Sequence, residues 1–297
     1  MGATTSGWLN TARRFLEEHP GRRGGLSFAE TNLSAQVLLA HVIERPRTWL
    51  LAHPEAPLSF EAVKRLNNLL QRLAQGEPLP YLIGHWEFFG LDFLVSPAVL
   101  IPRPETELLV EQALEWLQDH PRARLAADVG TGSGCIAVSL AKHAPQLRIH
   151  AVDRSREALE IARQNAARQN VSEQVIFLQG SLLETASGPF DLVCANLPYI
   201  PSAALAGLPV ADHEPRQALD GGADGLAAIR ALIQDAPRWL APGALLLLEM
   251  QFDQGEEIAA LAQEHLPGAD ISVLPDLAGL PRLVRIERLQ EEGEESV

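Results

Sequence analysis

The chain has 297 residues, of which 46% are hydrophobic and 21% are charged, and its mean hydropathy is +0.00. This composition is typical of a folded globular protein of about two domains, and it excludes a fibrous or largely disordered chain. The net charge is −14, and because residues 1–80 carry nine basic and seven acidic side chains, the rest of the chain carries −16. A surface of that sign repels a phosphate backbone, so we do not expect nucleic acid as a partner.

No apolar run reaches the roughly 20 residues that span a bilayer, and no basic region leads into an apolar signal segment. The chain has two cysteines, Cys135 and Cys194, and both lie among apolar residues, as is usual for small core residues in a reducing compartment. The nine histidines show no metal-ligand spacing. We therefore expect a cytoplasmic protein with no membrane contact and no metal site.

Residues 1–77 show apolar side chains at helical spacing in three stretches. The three stripes consist of Trp8, Leu9, Ala12, Phe15 and Leu16; of Ala35, Leu38, Leu39, Val42 and Ile43; and of Ala62, Leu66, Leu69, Leu70 and Leu73. Ser59 stands where an N-cap would precede the third helix, and Gly76 lies just beyond its end. These residues predict a small helical domain.

The pattern changes over residues 78–104, where aromatic and β-branched residues surround Gly90 in short runs. Such runs on either side of a glycine predict a β-hairpin, and we interpret the segment as a linker between two domains. Pro102 and Pro104 then flank Arg103, and the acidic residues that follow favour the first turn of a helix.

Residues 105–289 alternate short apolar runs with helical patterns. The candidate strands are almost continuously apolar, as in a sheet covered on both faces, and comprise residues 125–129, 149–152, 175–178, 190–195 and 245–248. Helical patterns at residues 155–169 and 225–240 separate several of them, so we expect right-handed βαβ units. The predicted fold class is α/β, with an open, mostly parallel sheet between two helical layers. The acidic tail, residues 290–297, is predicted to be disordered.

A glycine-rich loop follows the first of these strands and leads into a helical pattern. It runs from Asp128 through Val129 to Gly130, Thr131, Gly132, Ser133 and Gly134. Glycines at a helix N-terminus let a ligand approach the backbone closely. The dinucleotide fingerprint needs a glycine at position 135, which is Cys135, so the spacing disfavours NAD. Asp153 follows about 20 residues later at a strand end, where a carboxylate can accept hydrogen bonds from both hydroxyls of a ribose.

This pattern resembles the class I methyltransferases that use S-adenosylmethionine, and the resemblance implies a Rossmann-like fold with that cofactor. It also implies that residues 130–134 surround the methionine part, that Asp153 binds the ribose, and that Ser181 and Leu182 lie beside the adenine. In this family an aromatic residue of the hairpin region packs near the cofactor, and the resemblance assigns this contact to Phe88. Judged by its residue type alone, Phe88 is better suited to the linker core.

The fourth predicted strand ends in Asn196-Leu197-Pro198-Tyr199, at the carboxyl edge of the sheet, where open α/β folds bind ligands. The Asn196 side-chain oxygen and the Leu197 carbonyl can accept the two hydrogens of a planar amino or amide group, and Tyr199 can stack on its face. Acceptors on both N–H bonds would orient the lone pair of this weak nucleophile toward the methyl of a sulfonium, without a strong base. Pro198 biases Leu197 toward an extended backbone, which helps to fix that carbonyl.

The tetrapeptide resembles the Asn-Pro-Pro-Tyr signature of methyltransferases that act on planar nitrogens, which are adenine amino groups in nucleic acids and glutamine amides in proteins. Leu197 stands where the signature has proline. A backbone carbonyl survives this change, while the lost ring rigidity costs roughly 0.5 to 1 kcal/mol of preorganisation. We therefore expect the tetrapeptide to keep its role in methyl transfer to a planar nitrogen.

Further segments resemble the peptide chain release factor glutamine methyltransferases over nearly the whole chain. They are Tyr81-Leu82-Ile83-Gly84, Glu87-Phe88-Phe89-Gly90, Ile101-Pro102-Arg103-Pro104-Glu105-Thr106-Glu107, His213-Glu214-Pro215, Asp224-Gly225-Leu226 and Asp276-Leu277-Ala278-Gly279. The resemblance implies a helical domain that recognises the substrate, a hairpin linker and a catalytic domain. It further implies methylation of the glutamine in the Gly-Gly-Gln motif of release factors, and we expect a monomeric enzyme.

Three alternatives stay open. A ribosomal-protein glutamine methyltransferase would use the same amide clamp, a nucleic-acid adenine methyltransferase would need a basic channel, and a noncatalytic scaffold would bind a partner through its helical domain. Arg103 is either a site residue or an ion-pair partner between domains. Residues 200–223 are longer than an ordinary connection, which predicts a flap that faces the substrate, with Glu214 either in the site or fixing the fold of the flap.

Overall fold

The structure, a computed structural model, describes residues 3–19 and 28–289. The chain divides into two compact units, Met1–Gly84 and His85–Val297. Within the described ranges, none of the helices combines the length and the hydropathy of a membrane-spanning segment. The acidic tail predicted for residues 290–297 lies outside the described residues.

The described part of the first unit consists of five helices: α1 (Thr5–Glu18), α2 (Phe28–Ile43), α3 (Arg47–Ala52), α4 (Phe60–Ala74) and α5 (Leu79–Ile83). The indole N–H of Trp8 on α1 donates to Oδ1 of Asn67 on α4 at 3.0 Å. Ser59 caps α4, because its hydroxyl accepts the backbone N–H of Ala62 at 3.1 Å. The three predicted helices and this N-cap are confirmed, whereas the short helices α3 and α5 were not predicted.

The second unit begins with an antiparallel hairpin made of β1 (His85–Phe88) and β2 (Leu91–Leu94). Its turn contains Gly90 at a φ of +70°, a conformation that favours glycine. The rings of Phe88 and Phe93, 1% and 0% exposed, meet edge to face with centroids 6.0 Å apart. The predicted hairpin is therefore present over residues 85–94, and its role as a linker stays a prediction.

The rest of the second unit is built on a seven-stranded sheet with the strand order β5-β4-β3-β6-β7-β9-β8. The strands are β3 (Leu125–Val129), β4 (Arg148–Asp153), β5 (Val175–Gln179), β6 (Phe190–Ala195), β7 (Leu240–Glu249), β8 (Asp270–Pro275) and β9 (Pro281–Glu287). Strands β3 to β7 pair in parallel, and β9 is antiparallel to both of its neighbours. The predicted mostly parallel α/β sheet and its five strands are confirmed. Strands β8 and β9 were not predicted.

Helices cover both faces of this sheet. They are α6 (Glu107–Asp119), α7 (Cys135–His143), α8 (Arg156–Arg168), α10 (Ala227–Trp239) and α11 (Gly255–His265), whereas the short helix α9 (Ser202–Leu205) lies in the segment between β6 and α10. Alternate residues of β6 face opposite layers, since Leu192 and Cys194 pack in a core that includes α6 and α7, whereas Val193 and Ala195 pack in a core that includes α10 and α11. Because both faces are covered, a ligand reaches these strands at their ends.

A buried side-chain amide ties the hairpin to the glycine-rich loop. Asn165 on α8 is 0% exposed. Its Oδ1 accepts the backbone N–H of Leu94 at 2.7 Å, and its Nδ2 donates to the carbonyls of Leu94 at 3.0 Å and Ser133 at 2.8 Å. Three of the four hydrogen-bonding positions of the amide are therefore used to hold two distant segments in place.

We expect Asn165→Ala to lower the free energy of unfolding by about 1–3 kcal/mol, because the change leaves buried backbone groups of Leu94 and Ser133 without a partner. Chemical denaturation of the purified variant measures this loss. Gln164→Ala is the matched control on the same helix, because Gln164 is exposed and the variant should stay within about 0.5 kcal/mol of wild type. Equal stabilities of the two variants would contradict the role given to Asn165.

Candidate active site

A cavity of about 610 Å³ opens at the carboxyl edge of the sheet, and its volume is typical of a small-molecule site. Most of the predicted site residues line it, namely Gly130, Thr131, Gly132, Ser133, Asp153, Leu182, Asn196, Leu197 and Pro198. Its wall also contains residues that the sequence did not identify as part of the site, among them Thr106, Arg154, Gly221 and Gly222. The structure therefore brings the glycine-rich loop and the tetrapeptide together around one space.

The glycine-rich loop turns sharply because two of its amides meet one carbonyl. The backbone N–H groups of Gly130 and Thr131 both donate to the carbonyl of Val152 on β4, at 2.9 and 3.0 Å. Gly130 has a φ of +76°, and a Cβ at this position would lie 3.1 Å from Cδ2 of Leu197. The turn therefore requires glycine, and its bare backbone forms one wall of the cavity.

Asp128, in the protein interior, holds this loop through two hydrogen bonds. Its Oδ2 accepts the hydroxyl of Thr131 at 2.6 Å and the backbone N–H of Ala137 at 3.1 Å. Its Oδ1 has no hydrogen-bond partner among the described residues. Burial disfavours the charged form and raises the pKa of Asp128 to about 7, although the bonds from Thr131 and Ala137 oppose this shift. Asp128 therefore shapes the loop from the protein interior.

Asp153 ends β4 and lines the cavity. One carboxylate oxygen accepts the backbone N–H of Gly132 at 2.9 Å, and the other accepts that of Ser155 at 2.8 Å. These bonds fix the direction of the carboxylate, and each oxygen keeps a further acceptor position for a ligand hydroxyl. The geometry suits the predicted contact of Asp153 with a ribose, which stays a prediction.

The two residues predicted beside an adenine differ in their placement. Leu182 lines the cavity, and its φ of +49° is unusual for a residue with a side chain. The hydroxyl of Ser181 instead accepts hydrogen bonds from the guanidinium of Arg154, at 2.6 Å from Nη2 and 3.2 Å from Nε. Arg154 itself lines the cavity. Ser181 therefore holds the side chain of Arg154, and its own contact with a ligand stays a prediction.

The tetrapeptide follows β6 and presents two unused acceptors. Nδ2 of Asn196 donates to Oγ1 of Thr106 at 3.1 Å, which leaves Oδ1 of Asn196 free to accept. Within the described residues, no group donates to that Oδ1 or to the carbonyl of Leu197. The pair of acceptors was predicted from the sequence. The bond to Thr106 was not, because the two residues are 90 positions apart.

Tyr199 is half-buried and does not line the cavity. Its hydroxyl lies 3.4 Å from Oε1 of Glu249, the last residue of β7. Burial and the nearby Glu249 carboxyl raise the pKa of the Tyr199 phenol. Burial also raises the pKa of Glu249 to about 7, while the hydroxyl of Thr106 and the charge of Arg282 lower it. The predicted stacking of Tyr199 on a substrate stays a prediction, and the structure adds its contact with Glu249.

Two glycines of the following segment pack closely against backbone carbonyls of the tetrapeptide. A Cβ on Gly221 would lie 2.7 Å from the carbonyl oxygen of Pro198, and a Cβ on Gly225 would lie 2.3 Å from that of Tyr199. The backbone N–H of Gly221 also donates to the carbonyl of Ile200 at 2.8 Å. Both positions therefore require glycine, and the signal in the sequence was the glycine cluster at residues 221–225.

A nearly buried carboxylate ties residues 200–223 to the segment before α6. Glu214 is 7% exposed, pairs with the guanidinium of Arg103 and accepts the backbone N–H of Ile101 at 3.0 Å. Both partners belong to the second unit, so the ion pair of Arg103 is made within that unit. The predicted flap contains short helices and contributes to the cavity through Pro215, Gln217, Ala218 and Asp220. Glu214 thus fixes the fold of this segment.

Besides Ser181, the predicted cofactor contacts Phe88 and Gly134 do not line the cavity. Phe88 belongs to the hydrophobic core with Phe93 and Leu109, in agreement with the alternative interpretation of that residue. Gly134 precedes α7 with a φ of +81°, and a Cβ there would lie 3.0 Å from Cβ of Ala162 on α8, so its role here is close helix packing. Among residues 3–19 and 28–289, no cluster of His, Cys, Asp and Glu could hold a metal ion.

Two family models match the chain. The model of the PrmC N-terminal domain matches residues 7–84, and the model of the methyltransferase small domain matches residues 105–207. A protein from Moorella thermoacetica named release factor glutamine methyltransferase is 44% identical over 283 residues, covering 95% of this chain and 100% of that protein. A protein of the same name from Nitratidesulfovibrio vulgaris is 40% identical over 291 residues, covering 96% of each chain.

A solved structure shares the fold. A methyltransferase from Pyrococcus furiosus superposes with a TM-score of 0.51 and 19% sequence identity, over 76% of this chain and 100% of that one. At this identity the likeness shows the fold alone, and it agrees with the predicted class I methyltransferase architecture.

We expect Asp128→Asn to change how stability depends on pH. Because the folded-state pKa is raised from 3.8 to about 7, the stability that protonated Asp128 contributes is present at low pH and is lost as the pH rises toward 7. Relative to the variant, the wild type should therefore lose up to about 1.4 kcal/mol per pH unit between pH 4 and 7. Urea denaturation across this range measures the difference. The exposed Asp119→Asn serves as control, and parallel profiles of wild type and Asp128→Asn would refute the assignment.

Proposed function

This chain belongs to the family of release factor glutamine methyltransferases, and from that premise we propose that it transfers a methyl group from S-adenosylmethionine to a glutamine side-chain amide of a peptide chain release factor. The acceptor is the glutamine of the Gly-Gly-Gln motif. The reaction takes place in the cytoplasm, where release factors act.

One observation carries this proposal. Oδ1 of Asn196 and the carbonyl of Leu197 are adjacent acceptors with no donor among the described residues, and both residues line a cavity that also exposes the glycine-rich loop. A primary amide has two N–H donors in one plane and therefore complements two adjacent acceptors. A glutamine amide bound here would share the cavity with a ligand held by the glycine-rich loop.

The second unit also offers a site that suits S-adenosylmethionine. The bare backbone at Gly130 and Gly132 lets a ligand approach closely, and the fixed carboxylate of Asp153 has acceptor positions left for two ribose hydroxyls. The cofactor, when bound, supplies an electrophilic methyl group on a positively charged sulfur. The chain itself has to bind the two reactants and hold them in line.

Asn196 and Leu197 orient the weakly nucleophilic amide. Accepting both N–H bonds draws electron density toward the amide nitrogen and fixes the plane of the group, so the face of that nitrogen points to the methyl donor. The nitrogen would give up one N–H proton to water after methyl transfer, as the sulfonium becomes a neutral thioether, so no strong base is needed before attack. The side chain of Leu197 is 5% exposed and packs toward Gly130, which gives this residue the rigidity that a proline ring would otherwise provide.

The charge of the catalytic part favours a protein substrate over a nucleic acid. Residues 81–297 carry −16, and Arg103, which lines the cavity, is neutralised by its pair with Glu214. A phosphate backbone would therefore be repelled by the net charge of the catalytic part, in which Arg103 is already paired. The monomeric state stays a prediction.

Asn196→Ala removes one of the two acceptors, and we expect it to reduce methyl transfer by about 100-fold or more while cofactor affinity stays within a few-fold of wild type. Initial rates with purified release factor and calorimetric titration of S-adenosylmethionine measure the two effects. Gln118→Ala, at an exposed position on α6, is the control and should keep full activity. Wild-type turnover in the Asn196 variant would overturn the assigned role.

The acceptor is identified by transfer of labelled methyl to a release factor, to its variant with Gly-Gly-Ala in place of Gly-Gly-Gln, to ribosomal protein and to adenine-containing DNA. We expect label in the first substrate alone. Label in the ribosomal protein or in DNA, with none in the release factor, would replace the proposed function with one of those alternatives.

A further inference from the structure

We propose that Thr106 is a positioning residue that sets which way the side-chain amide of Asn196 faces. The inference deepens the proposed function and rests on it, because the orientation matters only if Oδ1 of Asn196 receives a substrate N–H. Thr106 precedes α6, outside both the tetrapeptide and the glycine-rich loop.

An asparagine amide has two faces of nearly equal shape and opposite hydrogen-bonding character. Rotation of the terminal torsion by a half-turn exchanges the acceptor Oδ1 with the donor Nδ2. A substrate amide that presents an N–H group finds a partner in only one of these orientations. In the structure, Nδ2 of Asn196 donates to Oγ1 of Thr106 at 3.1 Å, which turns Oδ1 away from Thr106.

The Thr106 hydroxyl is the side-chain partner that holds this orientation. Its oxygen accepts Nδ2 of Asn196, whereas no group among the described residues donates to Oδ1 of Asn196. Oδ1 therefore stays available to a substrate N–H group.

Burial makes the arrangement persistent. Thr106 is 2% exposed, so its hydroxyl does not readily exchange Asn196 for solvent. The backbone N–H of Thr106 donates to the carbonyl of Arg103 at 3.1 Å, which fixes the Thr106 side chain at the start of α6.

A comparison of Thr106→Val with Thr106→Ser distinguishes the effect of losing the hydroxyl from the effect of changing the shape of the side chain. The valine variant keeps the branched shape and loses the hydroxyl, so kcat should fall about tenfold or more while the Kd for S-adenosylmethionine stays within about threefold. The serine variant keeps the hydroxyl and should recover most of the wild-type kcat. Wild-type kcat in Thr106→Val, or an equal fall in both variants, would overturn the inference.

A substrate analogue reports on the orientation itself. A release factor with Gly-Gly-Glu in place of Gly-Gly-Gln presents a carboxylate, which the two acceptors of the wild-type site repel. When the Asn196 amide is free to turn, Nδ2 can donate to that carboxylate. The analogue should therefore inhibit Thr106→Val about fivefold or more tightly than it inhibits wild type and Thr106→Ser. Equal inhibition of all three proteins would also contradict the inference.

Two controls keep the outcomes distinct. Thr106→Ala removes the hydroxyl without a branched side chain, so it provides the same comparison if the valine variant does not fold, and it should show the same gain in inhibition. Wild-type enzyme that fails to methylate release factor would refute the proposed function. Wild-type enzyme that is active, with Thr106→Val and Thr106→Ala unchanged in kcat and in inhibition, would refute the role of Thr106 alone.

Discussion

The site depends on a single backbone acceptor, the carbonyl of Val152. It receives the N–H groups of both Gly130 and Thr131, so the chain leaving β3 bends back over the end of β4. That bend places the next residue, Gly132, where its N–H meets Asp153, and the same turn lets Thr131 reach Asp128 below. One carbonyl that accepts two N–H groups thus aligns the ends of two strands, together with Asp128 near the end of β3 and Asp153 at the end of β4.

The polarity of the site is arranged in layers. Asp153, Asn196 and Leu197, which carry the acceptors, line the cavity. Buried carboxyl groups of Asp128 and Glu249 lie behind them, and both have a raised pKa because burial disfavours their charge. These inner groups act on hydroxyls and amides of neighbouring residues, so the protein uses them to hold geometry. Such an arrangement suits a reaction whose rate depends on how the two reactants are aligned.

The sequence was most informative where one local signal decides the structure. Strands β3 to β7 were predicted because they are apolar on both faces, and the N-cap at Ser59 because its residue type and spacing are distinctive. Strand β9 escaped prediction because Arg285 interrupts its apolar run, and β8 because Ser272 breaks its short apolar run. The contacts of Asn165 with Leu94 and of Asn196 with Thr106 join positions 71 and 90 residues apart, and only tertiary packing brings them together. The core position of Phe88 likewise depends on how the hairpin packs.

The glycines at positions 221 and 225 have a consequence for attempts to broaden the range of acceptors. They lie in a connecting segment, where engineers usually expect tolerance to mutation, yet carbonyl oxygens occupy the space that any side chain would need. Libraries built on these two positions would return mostly misfolded proteins. Gln217, which is exposed and also lines the cavity, offers a place in the same segment where diversity is compatible with the fold.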